Sequence, residues 1–393
     1  MPFPSPIWDS PERQQLRATV RDFAQRHILP HQEQWERDGL IPRELHREAA
    51  KLGLLGIGFP EEVGGSGGDA ADTVVVEEEL LYNGVSGGVW ASLFTHGIAL
   101  PHMIAAGDPD QIEKYVRPTL AGEKIGSLAI TEPSGGSDVG HLRTKATRDG
   151  DDYVVNGSKT FITSAVRADF VVSAVRTGGD GAAGVSLLVV DKDTPGFTVA
   201  RKLDKMGWLA SDTAELSYED VRVPVGNLVG AENSGFVQIA GAFVSERVGL
   251  AVQAYAHAQR CLDLTLDWVR NRETFGRPLI SRQSVQDTVT EMARKIDVAR
   301  TYTRAVVETQ LNAQDNQLGG AGDMIAEVCF AKNTAVETGE WVADKAVQLF
   351  GGMGYMRETE VERQYRDMRI IGIGGGTTEI LTGLAAKRLG YQS

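Results

Sequence analysis

The chain has 393 residues, of which 42% are hydrophobic and 24% charged, an ordinary globular composition with length for two or three domains. A formal net charge of -13 argues against bulk electrostatic binding of nucleic acid or of an anionic membrane surface. Neither a signal peptide nor an uninterrupted run of ~18 apolar residues is visible, so we expect no membrane span. Cys261 and Cys329 form no metal-binding pattern, and we expect two reduced thiols in a cytoplasmic protein that binds no metal.

Residues 1–122 predict a helical N-terminal domain. Leu16, Val20, Phe23 and Ile28 recur at helical spacing and mark one apolar face of a first helix. A glycine-rich loop interrupts this pattern, and helical periodicity then resumes to about residue 120.

Residues 123–230 predict a middle antiparallel β-barrel, because short apolar runs alternate there with turn signals. Asp149-Gly150 and Asn156-Gly157 are predicted as hairpin turns. Residues 179–184 fit the pattern GxGxxG, but strand-like sequence lies on both sides of them. Since a dinucleotide-binding motif must leave a strand and open a helix, we predict a surface hairpin loop instead.

Residues 231–393 predict a C-terminal four-helix bundle with four or more long helices, and the fold class is therefore α+β and multidomain. The segment contains one proline, Pro278, and long helical periodicity. One predicted helix carries an apolar stripe at spacings of three and four residues: Val285, Val289, Met292, Ile296, Ala299, Tyr302 and Val306.

Glu246 stands out from this pattern as a candidate acid or base. The carboxylate lies on an apolar helix stripe, because the residues around it recur at spacings of 3, 4, 3 and 4: Phe236, Ile239, Phe243, Glu246 and Leu250. An unpaired carboxylate is costly in such a place, and a group held there is a functional candidate. The alternative is a structural ion pair with an arginine of the bundle.

Residues 128–140 read LAITEPSGGSDVG and place hydroxyls and free amides at the end of a predicted strand. This arrangement suits hydrogen bonding to a heterocycle or a phosphate. The alternative is a capped turn.

Several motifs, in order along the whole chain, resemble those of the acyl-CoA dehydrogenase family. They are Ala129 to Pro133 with Gly136 to Asp138, Asn156 to Thr163, Lys205 to Trp208 with Ser211 to Thr213, Arg272 to Gly276, Gln348 to Gly352, and Arg366-Asp367. The resemblance implies three domains of the kinds predicted above, FAD bound without a Rossmann unit, and a homotetramer.

The resemblance also implies a set of FAD-binding residues. Leu128, Ile130 and Thr131 would lie along the flavin ring, Phe161 would shield one face, and Thr163 would bond near N5. Ile162 is also implied as a cofactor residue. Ser137 would serve the phosphate and ligand region. Arg272 would grip the pyrophosphate of a flavin shared with a neighbouring subunit, although an exposed helix-end charge is the alternative for this residue. The remaining implied cofactor residues are Thr274, Phe275, Gln283, Gln348, Gly352, Thr377 and Glu379.

The catalytic base is implied by a departure from the most frequent family pattern. Many members carry a Glu before a Gly-Thr pair at the start of the last long helix, often preceded by Tyr. Here Gly375 and Gly374 occupy those positions. Isovaleryl-CoA and long-chain enzymes instead carry a Glu-Arg pair on an early bundle helix, which matches Glu246-Arg247. The resemblance thus implies Glu246 as the base, with the substrate bound by Ser137, Phe243, Arg247, Gly374, Gly375 and Gly376.

The implied reaction is FAD-dependent α,β-dehydrogenation of an acyl-CoA thioester to the trans-2-enoyl-CoA, with electrons passed to an electron-transfer flavoprotein. Two alternatives stay open: a flavin oxidase or monooxygenase of the same fold, and a non-catalytic acyl-CoA-binding or flavin-binding relative. The side chains missing at positions 374 and 375 favour branched or longer acyl chains. The sequence leaves open the chain length and an acyl carrier protein thioester as the substrate.

Overall fold

The computed structural model describes residues 5–315 and 324–391, in which helices, a β-sheet and further helices follow one another. The first group of helices, in which α7 and α8 are single turns, comprises α1 (Pro11–Phe23), α2 (Gln32–Asp38), α3 (Arg43–Lys51), α4 (Ala70–Tyr82), α5 (Gly87–Leu93), α6 (His96–Ala106), α7 (Pro109–Gln111) and α8 (Arg117–Leu120). The apolar face predicted for the first helix is confirmed: Val20, Phe23 and Ile28 are buried, and Leu16 packs partly buried against them.

The middle of the chain forms a seven-stranded sheet. Its strands are β1 (Gly126–Ala129), β2 (Lys145–Asp149), β3 (Asp152–Thr163), β4 (Phe170–Arg176), β5 (Val185–Asp191), β6 (Phe197–Lys202) and β7 (Thr213–Pro224). Hydrogen bonds join them in the order β1-β4-β2-β3-β7-β6, and β5 pairs with β4. The prediction of a closed antiparallel barrel is wrong, because the sheet is a curled half-barrel and β1 runs parallel to β4.

The strand β4 is buried on both faces along residues 170–175. Val171 and Val175 pack into one core on one face of the sheet, whereas Phe170, Val172 and Ala174 pack into a second core shared with α6. Alternate side chains of a strand point to opposite faces. Both faces are covered here, so both sets of side chains are buried, including that of Ser173, whose hydroxyl is hydrogen-bonded to the Tyr218 hydroxyl.

Two of the three turn predictions in the sheet are confirmed. Asp149 ends β2 and Gly150 begins the turn to β3, and residues 179–184 lie in the loop that joins the antiparallel strands β4 and β5. Asn156-Gly157 is not a turn, since both residues lie inside β3 at a register shift against β7. A β-carbon on Gly157 would lie 2.6 Å from Thr144 Oγ1, so this glycine permits close packing and does not reverse the chain.

The last part of the chain has three long helices and two shorter ones among its described residues, and not the four long helices predicted. They are α9 (Gly235–Asn271), α10 (Gln283–Asp315), α11 (Ile325–Phe350), α12 (Glu360–Met368) and α13 (Thr378–Arg388), with a small hairpin of β8 (Glu273–Thr274) and β9 (Arg277–Pro278) between α9 and α10. The stripe predicted on α10 is confirmed, because all its members are buried except Tyr302, which is half-buried.

Asp367 on α12 connects the three parts of the chain. Its carboxylate accepts hydrogen bonds from the amide of Gly87 on α5 at 3.1 Å and from the amide of Trp208 in the β6–β7 loop at 2.6 Å. Two of the family-like motifs, around Trp208 and around Asp367, therefore meet at one buried junction.

Two helical stretches, Gly87–Ala106 and Gly235–Asn271, are long and apolar enough to cross a membrane by length and composition. The first is divided here into α5 and α6, and both stretches supply side chains to the core. Because core helices meet the same criterion, the finding is weak evidence for a membrane span.

Candidate active site

Glu246 lies on α9 with its carboxylate unpaired. The side chain is half-buried, and among the described residues no hydrogen-bond donor or salt-bridge partner reaches it. Burial raises the pKa of Glu246 above its ordinary value, while the charges of Lys332 and Arg247 act in the opposite direction. An unpaired carboxyl group with a raised pKa has the properties of a general base, and the structural ion pair considered above is not found.

Gly375 faces Glu246 across the site. A β-carbon built on Gly375 would lie 3.5 Å from Glu246 Oε1 and 2.4 Å from Leu250 Cδ1. Gly375 and Gly376 have φ values of 64° and 99°, which favour glycine. Gly374 differs, because its β-carbon would meet only the Ile370 carbonyl oxygen, at 3.6 Å. The structure therefore brings together Glu246 and the glycine loop of residues 374–376, as predicted.

Two cations bind the carbonyl side of this glycine loop. Lys332 Nζ donates to the oxygens of Gly374 and Gly376, the second at 2.6 Å, and Arg247 Nε donates to Gly375 O at 3.1 Å. Within the described part of the chain, the amides of Gly375 and Gly376 have no acceptor. Free amides beside a carboxylate can donate to a substrate carbonyl oxygen.

Arg247 packs inside the protein beside the glycine loop, whereas a residue that binds CoA is expected to extend towards the surface. Its side chain is buried, its guanidinium lies 5.3 Å from the ring centre of Phe243, and its hydrogen bond goes to the glycine loop. The role predicted for Arg247 in holding CoA stays a prediction, whereas its contact with Gly375 is observed.

The end of β1 lies against the first half of α9. Leu128 and Ile130 are half-buried in the same apolar cluster as Phe236 and Phe243. Thr131 follows them, and its carbonyl oxygen accepts a hydrogen bond of 2.9 Å from the amide of Thr160 on β3. The predicted flavin residues of β1 and β3 are thus neighbours.

Phe161 on β3 has an unusual backbone and an exposed ring. Its φ is 61° and its side chain is 69% exposed, at a register shift between β3 and β7. A bulky residue in this conformation is strained, and such strain is concentrated at functional sites. Beside it, Ile162 is buried, Thr163 is half-buried, and Ser137 in the loop after β1 is exposed. An aromatic ring, apolar side chains and hydroxyl groups fit a flavin ring and the groups attached to it.

The carboxylate of Glu132 is engaged in structural contacts and is therefore not available as a second base. Burial raises its pKa, but the ion pair with Lys159 at 2.9 Å and the amides of Arg143 and Thr144 hold that pKa below its ordinary value. These contacts fix the loop that follows β1.

A second group of predicted cofactor residues lies at the other end of α9. Arg272 caps this helix and is exposed, and the hairpin after it turns at Phe275 and Gly276. The Phe275 side chain is 96% exposed. Thr274 is half-buried and Gln283 exposed, while Gln348 and Gly352 are exposed at the end of α11, where Trp268 and Phe350 stack with ring centres 4.7 Å apart.

Arg272 lies far from Glu246 within a subunit. Arg272 follows Glu246 by 26 residues along a continuous helix, a distance of about 39 Å at ~1.5 Å per residue. The Arg272 hairpin and the Glu246 carboxylate of one chain therefore do not border the same space.

Thr377 and Glu379 lie at the start of α13. Thr377 is the N-cap residue, and its hydroxyl accepts a hydrogen bond of 3.3 Å from the amide of Ile380. Glu379 is exposed, and the hydrogen bond from its own amide lowers the pKa of its carboxyl group. The role predicted for Glu379 in binding the cofactor stays a prediction.

Sequence reasoning missed Lys332. Val328, Lys332 and Val336 are buried at intervals of four residues on α11, so a lysine occupies an apolar stripe. The signal that identified Glu246 was therefore present for Lys332 as well, namely a charged residue at a core position.

An exposed aromatic ring on a strained backbone, an apolar strand end and an unpaired carboxylate fit a site for a flavin beside an acid or base. Family models agree with this conclusion over most of the chain. The N-terminal, middle and C-terminal domains of acyl-CoA dehydrogenase match residues 10–123, 127–221 and 233–390. The chain belongs to the acyl-CoA dehydrogenase family and is an FAD-dependent enzyme of that class.

Individual relatives span almost the whole chain. A probable acyl-CoA dehydrogenase of Bacillus subtilis is 38% identical, covering 96% of this chain and 98% of its own length. The mouse mitochondrial long-chain specific enzyme is 38% identical, covering 97% of this chain and 87% of its own. The crystal structure of a putative acyl-CoA dehydrogenase from Mycobacterium smegmatis is 73% identical with a TM-score of 0.96, covering 98% of this chain and 100% of that one.

Proposed function

We propose that this chain catalyses the α,β-dehydrogenation of an acyl-CoA thioester to the trans-2-enoyl-CoA, with Glu246 as the base. The observation that carries the proposal is the unpaired carboxylate of Glu246, with a raised pKa, beside the glycine loop. The free amides of that loop add a place for the thioester oxygen.

The residues of this chain have separate tasks in the proposed reaction. The Gly375 and Gly376 amides donate to the thioester oxygen, which draws electrons from the α-carbon and makes its proton more acidic. Glu246 then takes the α-proton: the C–H bond breaks and the proton ends on the carboxylate. FAD, when bound, supplies the acceptor for the β-hydrogen and its electron pair. The raised pKa of Glu246 makes it a stronger base than an exposed carboxylate.

The predicted electron acceptor is an electron-transfer flavoprotein. A solved structure described as the electron-transferring flavoprotein of Acidaminococcus fermentans is 31% identical to this chain, with a TM-score of 0.90. A related protein from Anaerotignum propionicum is named acryloyl-CoA reductase (NADH). The test of the acceptor therefore compares an electron-transfer flavoprotein with NAD+ and with oxygen.

We further propose that the enzyme is a cytoplasmic homotetramer in which neighbouring subunits share each FAD. The support is the separation of about 39 Å along α9 between Glu246 and Arg272. A second copy that presents its hairpin at residues 272–278 would supply the ADP half of the site.

The proposed substrates are branched or longer acyl-CoA thioesters. Gly374 leaves open space, and position 375 has no side chain between the loop and Glu246. Relatives include the long-chain specific enzyme of mouse and an isobutyryl-CoA dehydrogenase of Dictyostelium discoideum. Each additional buried CH₂ group contributes about 0.8 kcal/mol to binding if it fills the space.

Anaerobic rapid mixing tests the proposal. The yellow holoenzyme is mixed with isovaleryl-, citronellyl-, octanoyl-, palmitoyl- and butyryl-CoA, and flavin absorbance is followed. We expect bleaching by at least one thioester and reoxidation by electron-transfer flavoprotein. Fast reoxidation by air would favour the oxidase alternative, and no bleaching by any of the thioesters would favour a non-catalytic relative.

A further inference from the structure

Lys332 is a buried cation that the reaction described above does not use. Its side chain is 1% exposed, and it comes from α11, whereas Glu246 comes from α9. Its ammonium group donates to the carbonyl oxygens of Gly374 and Gly376, on either side of the residue that faces Glu246.

Lys332 therefore fixes the loop at two points. Arg247 holds the carbonyl between them, that of Gly375. With all three carbonyls turned to the cations, the amides of Gly375 and Gly376 are left for a ligand. A loop of three glycines has high backbone freedom, so these hydrogen bonds are what holds its geometry.

The charge of Lys332 also acts on Glu246. Among the described residues, the charged groups that act on the Glu246 carboxyl are Lys332 from α11 and Arg247 from α9, while the loop presents only backbone. Cys329 from α11 lies near both cations and is buried. Burial lowers the pKa of Lys332 to about 8, and Glu246 opposes this effect, so the lysine is charged at neutral pH.

We propose that Lys332 is a positioning residue for the dehydrogenation, which holds the glycine loop against Glu246 and keeps the Glu246 carboxylate ionised at neutral pH. The inference rests on the proposed role of Glu246 as the base. Lys332 acts through Glu246 and the loop and does not touch the reacting carbons.

The test compares K332M and K332R. Methionine has a similar length and removes the charge, whereas arginine keeps it. On the same helix, K345M is the matched control, because Lys345 is half-exposed and lies 13 residues, roughly 20 Å, further along α11. K332Q, which loses the charge but keeps a donor, replaces K332M if the latter does not fold.

Two measurements are made on the FAD-loaded proteins. The first is the rate of flavin reduction as a function of pH. The second is the carboxyl C=O infrared band of Glu246, obtained at each pH as a difference from E246Q. In K332M we expect both midpoints to move to higher pH, with the rate on the acid side falling about tenfold per unit of displacement. K332R and K345M should keep the wild-type midpoint.

The outcomes distinguish a failure of the role proposed for Lys332 from a failure of the role proposed for Glu246. If K332M lowers the rate equally at every pH and leaves the infrared midpoint unchanged, Lys332 has only a structural role and the inference is overturned. If E246Q reduces its flavin at the wild-type rate, the proposed function itself has failed, whatever Lys332 does.

Discussion

A β-carbon at Gly375 would lie 3.5 Å from Oε1 of Glu246, so these two positions border the same space. A carboxylate can reach that space from the start of α13 or from α9. The most frequent family arrangement uses the first route, and this chain retains the second. The space between them is where we place the α-carbon of the substrate.

Glu246→Gln should keep FAD and bind acyl-CoA but lose flavin reduction by at least ~10²–10⁴-fold, because general-base catalysis alone contributes that much. The measurement is anaerobic stopped-flow at saturating thioester. Glu337→Gln, an exposed change on α11, is the matched control and should reduce its flavin normally. A near-normal rate for Glu246→Gln would exclude this residue as the base.

The rate of flavin reduction should rise with pH through the pKa of Glu246, because only the ionised carboxyl takes the α-proton. That pKa lies above its ordinary value of 4.5, mainly through burial. The folded protein then binds this proton more tightly than the unfolded chain, so the Glu246 contribution to stability decreases as pH rises from 4.5 through the folded pKa. Thermal unfolding of Glu246→Gln and of wild type at several pH values should show a stability advantage for the variant that develops across this pH window and is complete above it.

Moving the base should require one further change. In Glu246→Gly with Gly375→Glu, the new side chain overlaps Leu250, whose Cδ1 would be 2.4 Å from its β-carbon. We expect the double variant to be nearly inactive and the triple variant with Leu250→Ala to recover measurable flavin reduction. A positive φ of 64° adds strain of ~1–2 kcal/mol for a residue with a side chain, so recovery should be partial. If the triple variant folds and binds acyl-CoA without any recovery, the two positions do not serve the same α-carbon.

Arg272→Glu should lose FAD, since a carboxylate would stand where a guanidinium is expected to bind the pyrophosphate. The ratio of flavin to protein absorbance after gel filtration measures retention, and the same column reports assembly. Arg270→Glu, two residues earlier and also exposed, serves as the control. Full retention of FAD by Arg272→Glu would remove this residue from the cofactor site.

Gly374→Tyr should narrow the pocket without disturbing the loop, because the added β-carbon meets only one atom, at 3.6 Å. We expect kcat/KM to fall for isovaleryl- and citronellyl-CoA and to change much less for butyryl-CoA. Gly374→Ala should have a small effect on all of them. A wild-type preference for butyryl-CoA would contradict the proposed substrate class.

The sequence predicted those parts of the molecule that depend on local periodicity. The stripe that carries Glu246 and the stripe on α10 required only spacing, and the structure contains both. Closure of the sheet could not be predicted, because turn signals show that neighbouring strands pair but not whether β1 meets β6. Asn156-Gly157 was wrongly predicted as a turn. Glycine is required there because Thr144 packs against position 157, and this contact between separate segments cannot be seen in the local sequence.

The sequence likewise predicted some residues of the candidate site and missed others. Glu246 and Gly375 are 129 residues apart in the sequence. Only the motifs shared with the family indicated that these two positions belong to one site. The hydrogen bonds of Lys332 to the Gly374 and Gly376 carbonyls follow from packing of α11 against the loop, which no motif records.

The overlap between positions 246 and 375 also limits how a lineage could move its base from one helix to the other. A chain with glutamates at both positions would place two carboxyl groups in one dry space, where like charges force one of them to keep a proton. A glutamate gained at position 375 while Glu246 is still present would therefore reduce the fraction of ionised carboxylate that can act as the base.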